Sequence, residues 1–282
     1  MFARRVLRGM GLGALLALLV GADQPAKPLK IYIETDLEGA SGVYEFGQTR
    51  EKGTLRNREA CEFLMGDIAA VVRGLRAGGA TEIIIADGHG NQAFLPRLLE
   101  PGAKYITGLP RPPADACGLD EACAGIVMIG FHAMMGTPDG VLCHTQSSKT
   151  ENRHWYNGVE TGEIGQTAML ASHYHVPPIL VTGDEVTCRE AKKFLGEHCV
   201  TVAVKRGLAR EAAELYPLEE TRKALFEGAK RAMAELPNCK PYQVQLPIQA
   251  KKQWYTLDAN GAKDKLMTRE GQIEDLRDIF KF

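Results

Sequence analysis

Two acidic residues, Asp36 and Glu38, stand two positions apart directly after the β-rich run KIYIET. In extended backbone, residues spaced by two point to one face. Two other apolar runs end in histidines: EIIIA leads into Asp87-Gly88-His89-Gly90, and IVMIG leads into Phe131-His132-Ala133. A third carboxylate, Glu163, opens a predicted helix shortly after the Asn157-Gly158 turn. Three carboxylates and two imidazoles suit a hydrolytic metal centre, with zinc the ion indicated. Five ligands are too many for one tetrahedral site. Two metals about 3.5–4 Å apart, sharing a carboxylate and a water, use all five.

Each residue has a bland reading when taken singly. Asp36 and Glu38 could be cap or turn acids, His89 an exposed turn histidine, His132 a satisfied core histidine, and Glu163 an acid favoured at a helix N-terminus. Together these readings require four coincidences at one edge. His144, in Val141-Leu142-Cys143-His144-Thr145, is the next candidate, since a neutral imidazole beside such a centre can act as general acid/base or hold an oxyanion. Asp87 and Asp184 are candidates to orient a ligating imidazole. Neither GxSxG nor HExxH occurs, so serine-hydrolase and zincin chemistry lack support.

For these residues to meet, the chain must form an open parallel sheet, whose ligands bind beyond the carboxyl ends of the strands. The pattern predicts strands at 30–35, 81–86, 104–107, 125–130, 178–182 and 200–205, with a further strand at 141–147. Helices are predicted at 56–77, 91–99, 163–173, 185–195 and 217–235, and Asn157-Gly158 signals a hairpin. Alternating strands and helices mean an α/β fold: a mostly parallel sheet with helices on both faces. The division expected is a signal peptide at 1–22, a metal-binding catalytic domain at 23–205, and a smaller α+β part at 206–282, with one or two strands and a final helix after Tyr242.

The 282 residues are 45% hydrophobic and 24% charged, which is a globular composition and excludes long disorder. Lys and Arg number 34 against 35 Asp and Glu, net −1, so no basic excess points to nucleic acid. Arg4, Arg5 and Arg8 precede an uncharged stretch from Met10 to Gly21, with small residues at Val20-Gly21-Ala22. This reads as a secretory signal. The apolar run is well short of the ~20 residues that span a bilayer, so no stable membrane anchor is expected after cleavage, and the protein is expected to be periplasmic or secreted. Loss of the three arginines takes the net charge from −1 to −4. Of seven cysteines, Cys117 with Cys123 or Cys188 with Cys199 could pair in an oxidising compartment.

The sequence also resembles the zinc-dependent D-aminopeptidase family of the DppA type. The resemblance rests on IETDLEGASGV (33–43), ADGHGN (86–91), IGFHAMMGTPDGVLCHT (129–145), NGVETGEIG (157–165) and VTGDE (181–185). It implies a two-zinc peptidase whose metal ligands fall on Asp36, Glu38, His89, His132 and Glu163, with Asp36 bridging, and whose catalytic histidine falls on His144. It implies release of N-terminal D-residues from short peptides such as D-Ala-D-Ala, and a ring-shaped homo-oligomer. The export signal ahead of the first strand departs from the family pattern. The function expected is therefore an exported dinuclear-zinc aminopeptidase using a metal-bound hydroxide, with His144 as acid/base or oxyanion stabiliser. The alternatives are a non-catalytic exported binding protein for peptide or metal, and a two-metal hydrolase acting on another bond.

Overall fold

The computed structural model describes residue 1, residues 28–90 and residues 92–282. Apart from its first residue, the expected signal sequence lies outside them. In chain order the elements are β1 (Lys30–Thr35), α1 (Phe46–Arg50), α2 (Leu55–Ala77), β2 (Glu82–Asp87), β3 (Lys104–Ile106), β4 (Cys123–Ile129), β5 (Arg153–Tyr156), β6 (Val159–Glu160), α3 (Glu163–His173), β7 (Pro178–Asp184), α4 (Glu185–Leu195), β8 (Val200–Ala209), β9 (Ala212–Leu215), α5 (Leu218–Glu235), β10 (Ile248–Leu257) and β11 (Lys263–Ile273). A seven-stranded sheet runs β3-β2-β1-β4-β7-β8-β9, parallel except for β9. A second sheet, β11-β10-β5-β6, is antiparallel. It takes strands from both sides of residue 205.

The parallel strands are buried on both faces because helices cover both. On one side Ile31, Ile33, Ile83 and Ile85 pack with Leu64, Ile68, Val71 and Leu75 of α2 and with Leu225 and Ala229 of α5. On the other, Met128 and Val181 pack with Ile164 and Ala168 of α3 and with Ala191 of α4. Full burial of each large aliphatic side chain is worth about 1.5–3 kcal/mol. Helix α2 begins where Thr54 accepts the backbone N–H of Asn57 at 3.2 Å and ends at Gly78-Gly79, as its apolar spacing predicts.

Register brings the site together. Thr35, the last residue of β1, lies opposite Asp87 of β2 and Ile129 of β4. The three strands therefore stop level, and the residues that follow them emerge at one edge. The backbone N–H of Asp36 donates to Ile129 at 2.8 Å and that of Gly39 to Gly130 at 2.7 Å, tying the two loops together. Only glycine fits at 39, because a Cβ there would stand 1.7 Å from the Phe131 carbonyl oxygen.

Three expectations change. The segment 141–147 is an irregular loop, not a strand: Leu142 and Gln146 have positive φ, and the Leu142 N–H donates to Arg210 at 2.7 Å. Of the expected helix at 91–99, the described residues 92–99 form a single 3-10 turn at Pro96–Leu98, since the N–H of Ala93 is held by Asp87 at 2.8 Å instead of a helical carbonyl. All seven cysteines are free thiols, so neither candidate disulfide is formed. Among the described residues no helix is long and apolar enough to cross a membrane.

Candidate metal centre

The level strand ends deliver Asp36, Glu38, His89 and His132, and the start of α3 and the 141–147 loop bring Glu163 and His144 to the same buried cluster. Asp36, Glu38, His132 and His144 are buried, while the side chains of His89 and Glu163 keep a little exposure. His89 Nδ1 lies 3.0 Å from both Asp36 Oδ1 and Glu38 Oε2. His132 Nε2 lies 3.1 Å from Asp36 Oδ2 and 3.6 Å from Glu163 Oε1. His144 Nε2 lies 3.8 Å from Glu163 Oε1, and its ring stacks on that of His132 with centroids 3.9 Å apart. Asp36 stands in the middle, with one oxygen toward each histidine. One ligand atom from each residue clusters within 4.8 Å in two sets, Asp36-Glu38-His132 and His132-His144-Glu163.

Backbone carbonyls orient all three imidazoles. His89 Nε2 meets Thr49 O at 3.0 Å, His132 Nδ1 meets Ala133 O at 3.0 Å, and His144 Nδ1 meets Leu142 O at 2.8 Å. A carbonyl only accepts, so each outer nitrogen carries a proton and each inner nitrogen faces the cluster, where it can offer a lone pair once it carries no proton of its own. This is how ligating histidines are usually held. The expected roles of Asp87 and Asp184 in orienting a ring are not found. Asp87 accepts the backbone N–H of His89 and of Ala93. Asp184 accepts from Val141 at 2.6 Å and caps α4 through Thr187 at 2.7 Å. Both shape loops.

The donor set fits divalent cations. Glu38 Oε2 and His132 Nε2 are buried without a properly aligned hydrogen-bond partner, despite close approaches to His89 and Asp36. Atoms that crowd at 3 Å without donor-acceptor alignment are arranged for a shared cation. The electrostatics agree. Burial opposes charge on His132, yet Glu163, Asp36 and Glu38 outweigh it and raise the imidazole to about 10. Burial likewise opposes the Asp36 carboxylate, but His132 and His89 hold it far below the usual range. Burial and the nearby Asp36 push Glu163 up to about 7, although His132 opposes them. Burial and charged His132 lower His144 to about 3. Without cations, the acids keep protons on the two imidazoles that face them most closely.

Sequence reasoning does not single out several supports. Phe46 of α1 packs edge-on to His144, and Thr49 of the same short helix holds His89. Gln146 donates its backbone N–H to Glu163 Oε1 at 2.6 Å. Glu190, pushed up to about 7 by burial, accepts the Met134 N–H at 2.8 Å beside the His132 loop. Lys205 is fully buried, and its Nζ donates to the carbonyls of Glu38, Ala40 and Val43 at 2.7, 2.9 and 2.5 Å. A charged residue closing an apolar run is the signal that marks Asp36, and Lys205, which closes the run 200–205 although β8 continues past it, carries it too. Lys205→Met is expected to leave three carbonyls unsatisfied and to cost about 3 kcal/mol of stability, with the Glu38 loop loosened. Denaturant titration checks this; an unchanged midpoint would remove Lys205 as the anchor of that loop.

The sequence model described as D-aminopeptidase matches residues 29–263. The chain belongs to the D-aminopeptidase family. The D-aminopeptidase of Bacillus subtilis (strain 168) is 30% identical over 217 residues, covering 76% of this chain and 77% of that protein. Membership makes this chain a peptidase of that family. The fold is that of the solved Zn-dependent D-aminopeptidase DppA from Bacillus subtilis, described as a self-compartmentalizing protease, with a TM-score of 0.79 at 22% identity over 90% of this chain and 94% of that one.

Proposed function

We propose that the chain is an exported dinuclear-zinc aminopeptidase that releases N-terminal D-residues from short peptides such as D-Ala-D-Ala. The observation that carries this reading is the orientation of His89, His132 and His144, each tied by its outer nitrogen to a backbone carbonyl with its inner nitrogen among carboxylates. Asp36, Glu38, His89, His132 and Glu163 would hold the ions between them. Zinc, when bound, supplies a Lewis acid for the scissile carbonyl and makes water acidic enough to react near neutral pH.

The protein's own groups supply the rest. His144 is held in the Nδ1–H tautomer by Leu142, so Nε2 faces the cluster, where it can take a proton from the attacking water. Once protonated, the same Nε2–H can donate to the oxyanion and then to the departing amine. Its stacking on His132 and edge contact with Phe46 keep the ring from turning away. Burial of the cluster excludes bulk water and strengthens each of these interactions.

Export is supported by Arg4, Arg5 and Arg8 ahead of the uncharged Met10–Gly21 stretch. Assembly with further copies, as in the self-compartmentalizing relative, is supported by the exposed β10–β11 hairpin, where Leu257, Leu266 and Met267 face solvent. The test is release of free alanine from D-Ala-D-Ala and L-Ala-L-Ala by the zinc-loaded protein. The D-peptide is expected to be cleaved at least roughly tenfold faster, a difference of about 1.4 kcal/mol, and chelator is expected to stop it. Cleavage that survives metal removal, or favours the L-peptide, would refute the reading.

A further inference from the structure

The cavity beside the ligand cluster has a volume of about 920 Å³. It runs from Asp36 and Glu163 past Gly88 to Glu34 and Arg111. Glu34, the penultimate residue of β1, lies two residues before Asp36, about 7 Å away along the chain, and both line the cavity. It also stands against the His89 loop, since a Cβ on Gly88 would come within 2.8 Å of Glu34 Oε1. Both oxygens of Glu34 are engaged: Arg111 pairs with Oε1, and the Tyr32 hydroxyl donates to Oε2 at 3.1 Å. Glu34 is therefore committed within the protein and serves to hold Arg111 in place.

Arg111 is not consumed by that pairing. Its guanidinium has five N–H donors, and among the described residues Glu34 is the one carboxylate it meets. The side chain is 39% exposed and lines the cavity. Its loop, Leu109-Pro110-Arg111-Pro112-Pro113, has three prolines that restrict the backbone and keep the cation in position. A guanidinium with spare donors matches a carboxylate in bidentate geometry. One to two residues of extended peptide span about 3.5–7 Å, comparable to the step from Asp36 to Glu34.

We propose that Arg111 is a specificity-determining residue that binds the free α-carboxylate of a di- or tripeptide whose scissile bond lies at the metal-ligand cluster. Long or C-terminally blocked peptides are then poor substrates. This rests on the aminopeptidase reading above, and the substrates below separate the two. The zinc-loaded protein is assayed on D-Ala-D-Ala and on its C-terminal amide, which needs no variant. The ratio of kcat/KM for acid over amide is expected to be roughly tenfold to a hundredfold in the wild type. In Arg111→Met the ratio is expected to fall to near one through KM, and Arg111→Lys is expected to recover part of it. Equal cleavage of acid and amide by the wild type overturns the proposal while leaving the peptidase reading intact. So does an equal loss on both substrates in Arg111→Met. Cleavage of neither substrate by the wild type overturns both.

Discussion

Asp36→Ala is expected to empty the centre of metal and to lower peptidase activity by about a thousandfold. Asp36 has one oxygen at His89 and the other at His132, so its removal takes a ligand from both halves of the cluster. Loss of Lewis-acid stabilisation is worth several kcal/mol, and each 1.4 kcal/mol is tenfold in rate. Elemental analysis after dialysis reads the metal directly. Protons compete for the same nitrogens: His132, raised to about 10 by its acidic neighbours, holds a proton at neutral pH that a cation must displace. Metal affinity in the wild type should therefore rise with pH, approaching tenfold per unit for each proton displaced. Asp36→Ala retaining full metal content, or a wild-type affinity independent of pH between 6 and 8, would contradict this assignment. Because the substitution also removes the acidic partner of His89 and His132, folding of the variant is checked by circular dichroism on the same sample.

His144→Ala is expected to keep its metal and to lose about a hundred- to ten-thousandfold in kcat, the usual range for a positioned acid-base group. His144 Nε2 is 3.8 Å from Glu163 Oε1, close enough to share a reacting water, and its Nδ1–H is fixed on Leu142. Because it sits among ligand atoms within 4.8 Å, metal content and turnover must be measured on the same sample. Full metal with low kcat, partly restored by added imidazole, identifies a proton-transfer role. Loss of metal equal to that in Asp36→Ala would make His144 a ligand instead, and unimpaired turnover would remove it from the mechanism.

The elements that position these groups were legible because each depends on local pattern. The runs KIYIET and EIIIA read as buried strands, and helices 163–173 and 185–195 fall where periodicity places them. Periodicity misses the loops that aim side chains. Segment 141–147 has β-favouring residues, yet tertiary bonds from Arg210 and Ala133 pull Leu142 and His144 out of any ladder. Helix α1 is five residues long, too short for a periodic signal; its start is set by the reciprocal Glu45–Gln48 cap.

Residue types after the strands marked which side chains do chemistry, because buried strand ends in a parallel sheet are where polar groups can converge. Their common edge depended on register, with Thr35 level with Asp87 and Ile129. The direction of each imidazole depended on which carbonyl lay behind it: Thr49, Ala133 or Leu142. The His89–Thr49 contact joins segments 40 residues apart, and the His132 and His144 contacts, though local, exist because distant partners hold their loops: Glu190 at Met134, Arg210 at Leu142, and Lys205 at the carbonyl of Glu38. Local pattern encodes neither their distance nor their angle, so the identities of the site residues were set by sequence, whereas the geometry that makes them a centre arises only when the chain packs.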